Sequence, residues 1–138
     1  MIPAEGLNYS LNAAYKGAAQ VATWYVGLLT DYVPVSTDTN ATIAAHEITA
    51  YTVAGQSVTR GAWVPGAVTG GQLTSAASPV VITFTAPVTV FGAFLSSTAT
   101  KGAGTSGVLA SLDRFTASRS FLAGETLDVS AIINSAGV

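Results

Sequence analysis

The sequence predicts a mainly β protein: an antiparallel β-sandwich of the jelly-roll type with one short N-terminal helix. Beyond Gly17 the chain consists of short runs rich in Val, Ile, Thr, Tyr and Phe, separated by Gly, Pro, Ser and Asp, which is typical of strands and turns. Few helical patterns lie between these runs, so the alternation expected of a parallel, doubly wound sheet is missing. The 138 residues suffice for one core and no linker divides them, which predicts a single domain over residues 1–138.

The first predicted element is a helix within residues 1–17. Pro3 suits a helix start, because the missing N–H of proline would have no partner there in any case. The side chains of Leu7, Leu11 and Tyr15 recur at helical spacing and form one face. A helix of about a dozen residues is marginal in isolation, so we expect this segment, with its apolar face, to pack against the sandwich or against a neighbouring subunit.

Six strands and a weaker seventh follow the helix. The alternation is clearest where Val80, Ile82 and Phe84 form one apolar face, which predicts that this strand packs on a core. Pro87 lies in the two-residue gap before the next strand, where a missing amide donor does little harm, and this predicts a tight connection between two antiparallel strands. The predicted strands are residues 22–30, 46–52, 79–85, 88–97, 107–115 and 125–133, with the weaker one at 72–75.

Charge is scarce in this chain. Charged residues make up only 9% and hydrophobic residues 49%, against about 25% charged in a typical soluble domain. A surface of Ala, Thr, Ser and Gly loses little hydration when another protein covers it, which favours a role within an assembly. The net charge of -2 and five scattered basic residues predict no nucleic-acid partner. The chain has no basic amphipathic helix and no long apolar run, so we predict no membrane partner and no signal peptide.

A glycine-rich segment raises the possibility of a nucleotide site. Gly102, Gly104 and Gly107 have the spacing G-x-G-x-x-G, and Lys101 precedes them. Dinucleotide-binding proteins need a helix directly after this pattern, whereas the following run of about eight residues is shorter than a typical helix. We therefore interpret the segment as a flexible hairpin loop and predict no cofactor.

Catalytic chemistry has few candidates. His46 is the only histidine and there is no cysteine, so the residue is interpreted as a half-exposed histidine at a strand end. The oxygens of residues 36–40 resemble a Ca²⁺ loop but lack its glycine and closing glutamate. Glu125 and Asp128 are three apart, which places them on opposite faces of a strand. We predict no catalytic residues, no metal site and no enzymatic activity.

Several aromatic residues that could serve a binding site lie in the first half of the chain. They include Trp24, Tyr25, Tyr32, Tyr51 and Trp63, and core packing is the preferred interpretation for Trp24. Exposed aromatic rings stack on sugars or anchor protein interfaces. A shallow groove formed by these side chains would indicate a glycan-binding module.

Two long stretches carry a resemblance to a known family. The residues IPAEGLNYSLNAAYKGAAQVATWYVGLLTDYVPVSTDT (2–39) and FTAPVTVFGAFLSSTATKGAGTSGVLASLDRF (84–115) resemble the jelly-roll cement, or capsid decoration, proteins of short-tailed bacteriophages. The resemblance implies a β-sandwich that binds the outer surface of an icosahedral shell. It also implies a location on the virion, with the phage major capsid protein and a second copy of this chain, in a homodimer, as partners. It carries over no active-site residue.

The composition alone suits a second function equally well. A phage tail-associated module that binds a receptor or a carbohydrate would have the same strand pattern, and exposed aromatic rings would distinguish it. An enzyme would need a pocket around the single histidine. For a binding protein of either kind, the candidate interface residues are Leu7, Leu11, Tyr15, Tyr32 and Trp63.

Overall fold

The computed structural model describes residues 1–102 and 106–134, which form a mainly β fold with antiparallel sheets and an N-terminal helix. This confirms the predicted fold class. The elements are α1 (Ala4–Tyr15), β1 (Trp24–Leu29), α2 (Asn40–Ala44), β2 (Glu47–Ile48), β3 (Tyr51–Thr52), β4 (Gly61–Trp63), β5 (Gln72–Thr74), β6 (Val80–Phe84), β7 (Val88–Ser96), β8 (Leu109–Phe121), β9 (Thr126–Val129) and β10 (Ile132–Asn134).

Two antiparallel sheets and a two-stranded ribbon contain these strands. In the five-stranded sheet, β1 pairs with β7 on one side and with β2 and β4 on the other, and β8 continues the sheet beyond β7. The second sheet has the order β3-β6-β9, and β5 and β10 form the ribbon. The sheets therefore differ in width, and β8 is the outermost strand of the wider one.

The main core contains apolar side chains from both sheets. The alternation predicted for β6 is confirmed, because Val80, Ile82 and Phe84 are buried while the residues between them are not. Val26 and Leu28 of β1 belong to the same cluster. Burial of apolar side chains between sheets is the main stabilising contribution in a sandwich.

A smaller apolar cluster includes side chains of β1, β7, β8 and α2. Leu29, Ile43 and Phe94 belong to it, with exposed fractions of 3% or less. Gly27 lies opposite Phe94 in the ladder, and a Cβ there would lie 2.5 Å from the Cε1 atom of the ring. The glycine therefore provides the space that the aromatic ring occupies.

One predicted connection and two predicted strands differ from the structure. The Ala86–Pro87 step joins strands of different sheets, so the predicted tight link between paired strands is wrong. The predicted strand at 46–52 divides into β2 and β3, and that at 125–133 divides into β9 and β10. At these points the chain leaves one sheet for another, which short-range alternation does not reveal. Strand β4 and helix α2 were not predicted.

Strand β8 is longer than predicted and continues through a Ser- and Thr-rich stretch to Phe121. Its polar second half is held by pairing with β7, although the register shifts by three residues between Arg114 and Arg119. The other edge of β8 is partly covered, because the N–H of Leu112 donates to the carbonyl of Met1 at 2.9 Å. A bulge and a covering segment both protect an edge strand from unwanted pairing.

Candidate interaction surface

Helix α1 carries three of the predicted interface residues on its outer side. Leu7, Leu11 and Tyr15 have exposed fractions of 52%, 48% and 83%, and their i, i+4, i+8 spacing makes them one continuous stripe. We call this stripe the α1 face. The N-terminal segment packs on the sandwich as expected, but through the side of α1 that contains the buried Gly6 and meets β8. The expectation that the α1 face makes this contact is wrong. Packing against a neighbouring subunit stays a prediction.

Gly6 determines which side of α1 meets the sheet. A Cβ at this position would lie 2.7 Å from the carbonyl oxygen of Leu109 and closer still to that of Ala110. On the same side of the helix, the ring of Tyr9 contacts Trp24 edge-on, with centroids 5.3 Å apart. These contacts leave the α1 face directed to solvent.

The carboxylate of Glu5 fixes α1 to two other elements. Its Oε2 atom accepts hydrogen bonds from the N–H of Asn40, at 2.9 Å, and from the N–H of Leu109, at 2.6 Å. Asn40 is the first residue of α2 and Leu109 the first of β8. Hydrogen bonds to a charged acceptor are stronger than neutral ones. These two bonds therefore hold α1 in place and fix the position of its outer face.

A buried polar network lies behind α2. The Oδ1 atom of Asn40 accepts from the Ser96 hydroxyl at 2.6 Å, and Arg60 also donates to that hydroxyl. Arg60 forms a bidentate pair with Glu47, with both N–O distances at 2.7 Å and both side chains fully buried. Buried charges require partners of this kind. The network links α2 to β2 and β7 and has a structural role.

Lys101 is engaged within the protein. Its ammonium donates to the carbonyls of Thr49, Tyr51 and Ser57 and lies 3.6 Å from the centre of the Tyr51 ring. Desolvation lowers the pKa of Lys101, while the neighbouring Glu47 carboxylate opposes that shift. The ammonium thus anchors the glycine-rich segment to the loops beside it.

The glycine-rich segment connects β7 to β8 as a hairpin, as predicted. Gly102 and Gly107 have φ angles of 65° and 98°, a backbone region that favours glycine, whereas Gly104 lies outside the described residues. The N–H of Gly102 donates to Glu47 at 2.7 Å. Strand β8 follows Gly107, in place of the helix that a dinucleotide site of this pattern requires. The flexibility of the loop stays a prediction.

His46 is half-exposed and directly precedes β2, as the sequence predicted. Its ring stacks on that of Tyr32 with centroids 4.1 Å apart. The Tyr32 hydroxyl donates to Asp38 at 2.6 Å, and this hydrogen bond raises the pKa of the tyrosine. The Tyr32 hydroxyl is thus paired with the carboxylate, while Tyr32 and His46 contact through their ring faces. The three side chains form one packed cluster.

The other predicted interface residues are less accessible. Trp63 lies in the core with 5% exposed, so its assignment to an interface is wrong: β4 directs its ring between the sheets. Tyr32 is half-buried by its stacking contact. Tyr51 is also in the core, and Trp24 packs against Tyr9. Trp63 and Tyr51 are therefore buried away from any surface groove, and the glycan-binding alternative stays a prediction.

Two of the acidic residues, Asp38 of the loop that resembles a Ca²⁺ site and Glu125 of the carboxylate pair, have partners within the protein. Asp38 is 2% exposed and accepts from the N–H of Val35 as well as from Tyr32. Glu125 accepts from the N–H of Leu122. Within residues 1–102 and 106–134, no three His, Cys, Asp or Glu side chains group closely enough to hold a metal ion.

Two exposed valines beside the start of α1 are not among the interface residues that the sequence predicts. Val33 and Val35 have exposed fractions of 67% and 47%. The N–H of Ala4 donates to the carbonyl of Ser36 at 2.8 Å, which holds this loop against the helix start. Neither alternation nor helical spacing marks these valines, since their position depends on contacts between distant parts of the chain.

Comparison of the chain with protein-family models and with curated proteins finds no match. Among the described parts of the chain, no helix combines the length and the apolar character needed to cross a bilayer.

Proposed function

We propose that this protein is a capsid cement, or decoration, protein of a tailed bacteriophage. It binds the outer surface of the icosahedral shell as a homodimer and bridges neighbouring major capsid proteins. The resemblance of residues 2–39 and 84–115 to that family supports the proposal, as does a surface poor in charge. The observation that carries it is the exposed apolar α1 face on a helix fixed by Gly6 and Glu5.

The α1 face can contribute binding energy through burial of its apolar side chains. Full burial of a leucine is worth about 1.5–3 kcal/mol, and Leu7 and Leu11 each retain about half of their surface for a partner. Because α1 is already ordered, little conformational entropy is lost when it binds. Each contact is modest by itself, and a dimer that engages two sites gains avidity of about 10² to 10⁴.

Stabilisation of the shell follows from mass action. A ligand that binds the assembled shell and not the separated capsid proteins shifts the equilibrium toward the shell. A protein that contacts two neighbouring capsid subunits has this selectivity, because separating the subunits breaks its own contacts. Decorated shells should therefore withstand higher temperature and internal pressure than bare ones.

Cosedimentation with purified shells that lack this protein tests the proposal. The wild type should sediment with the shells and raise their melting temperature, and the double variant Leu7→Gln/Leu11→Gln should do neither. Leu122→Gln is the matched control, because Leu122 is 64% exposed and lies in the turn between β8 and β9, away from the α1 face.

Two results contradict the proposal. The first is a wild-type protein that does not bind shells, or that binds them with no change in their melting temperature. The second is a double variant that binds as well as the wild type, which would remove the α1 face from the contact. Binding to a cell-surface glycan by a protein found only on the tail would support the receptor-binding alternative.

A further inference from the structure

A groove runs along the open edge of the sandwich between β8 and β9. One cleft of about 500 Å³ lies between residues 111–115 of β8 and residues 129–133. A second, more open cleft of about 870 Å³ lies between residues 119–121 of β8 and residues 124–128. The linings of the two clefts follow one another along the same two stretches of chain, and we call the two clefts together the β8–β9 groove.

The first cleft reaches the apolar core. Val26, Leu95 and Val129 line it, although their exposed fractions are only 1%, 2% and 8%. Residues 130–133, which lead into β10 of the ribbon, and residues 1–2 at the N-terminus also line it. The cleft lies between β8 and the stretch that runs from the end of β9 into β10. Its volume is in the range of small binding sites, and its lining selects apolar groups.

Strand β9 reaches the first cleft at Val129 and borders the second cleft along the rest of its length. Among the described residues it pairs with β6 alone and forms the edge of its sheet. Every second N–H and C=O of an antiparallel edge strand is directed away from the sheet. Strand addition needs two features, namely an unpaired edge for main-chain hydrogen bonds and a pocket for alternate side chains. The β8–β9 groove places them side by side.

The charged side chains at the groove indicate which charge a bound segment should carry. Asp113 is exposed at the first cleft, and Asp128 and Glu125 lie at the second. Among the described residues, the positive groups at the clefts are fewer: Arg119 lines the second cleft, and Met1, which carries the N-terminal ammonium, lines the first. Carboxylates therefore outnumber cations, which favours an occupant that carries Lys or Arg.

We propose that the β8–β9 groove binds an extended, basic segment of a partner polypeptide. The segment adds to β9 as an antiparallel strand, and its alternate apolar side chains enter the first cleft. Its Lys or Arg side chains lie beside Asp113 and Asp128. This surface is distinct from the α1 face, so the proposal does not depend on the proposed function.

A displayed library of random peptides about 12 residues long, enough to span an average strand, tests this proposal. Peptides are first selected for binding to the wild type. Peptides that also bind the variant Ser111→Phe, in which a ring occupies the first cleft, are then discarded, because their binding does not need that cleft. Enriched peptides should share apolar residues at every second position and at least one Lys or Arg. A synthetic peptide of the enriched sequence should slow amide exchange in β9.

Charge reversal provides a test that leaves the core unchanged. Asp113→Lys alters an exposed side chain and should weaken binding of the enriched peptide about tenfold or more. Val68→Lys is the matched control, since Val68 is 70% exposed and lines neither cleft; it should bind like the wild type. Three results overturn the proposal: no peptide distinguishes the wild type from Ser111→Phe, the enriched peptides lack alternation, or an apolar dye fills the cleft while no peptide protects β9.

Discussion

Two arginine–carboxylate pairs have the same contact distance but differ in burial, and we predict that they differ in stability. Arg60–Glu47 and Arg114–Asp31 both have a nitrogen–oxygen distance of 2.7 Å. The side chains of the first pair are fully buried, whereas those of the second are 34% and 67% exposed. Arg60→Met should therefore destabilise the protein strongly and Arg114→Met only slightly.

The magnitudes follow from what each change leaves behind. Arg60→Met leaves the Glu47 carboxylate buried with the N–H of Gly102 as a remaining donor. Removing one partner of a buried pair costs about 3–5 kcal/mol, a large fraction of the roughly 5–15 kcal/mol of a typical domain. For a chain of this size the melting temperature should fall by roughly 10–20 °C. Arg114→Met should cost about 1 kcal/mol or less, because solvent screens an exposed pair.

Urea denaturation followed by the fluorescence of Trp24 and Trp63 measures both losses, provided that the m-value stays constant. The double variant Arg60→Met/Glu47→Leu removes both buried charges and should recover most of the stability. Equal losses for Arg60→Met and Arg114→Met would refute the reasoning. So would a double variant as unstable as the sum of its single changes.

Three further predictions concern packing and pH. Gly6→Ala should lower the free energy of unfolding by about 1–3 kcal/mol, because the added methyl group overpacks α1 against β8, and it should speed amide exchange in α1. Asn8→Ala, at an exposed helix position, should leave both unchanged. Equal effects of the two substitutions would contradict the close approach of α1 to β8. Gly27→Ala should cost a similar amount and Gly66→Ala, whose nearest Cβ contact would be 3.7 Å, almost nothing, as thermal melts would test. The pKa of Tyr32 is raised in the folded protein. The contribution of its protonated hydroxyl to the free energy of unfolding is therefore present below the unfolded pKa of about 10, and it is lost as pH rises through the folded pKa. The difference in urea midpoint between wild type and Tyr32→Phe should therefore be constant from pH 7 to 9 and shrink above about 10; a difference that grows with pH would contradict it.

Local sequence patterns determined much of the fold and part of the candidate site. The alternation around Ile82 predicted a strand with one buried face, and β6 has it. The spacing of Leu7, Leu11 and Tyr15 predicted a helix with an apolar stripe, which α1 has. These features depend on neighbours within a few residues, so the sequence alone carries them.

Only the tertiary structure decided where each element packs. The direction of the α1 face depends on Gly6 meeting a strand more than a hundred residues away, and the Glu47–Arg60–Ser96 network joins three separate segments. Tryptophan is a residue type that is common at interfaces, yet the pairing of β4 with β1 places the ring of Trp63 in the core. Sheet assignment and burial arise from contacts between residues distant in sequence, and local periodicity contains no information about such contacts.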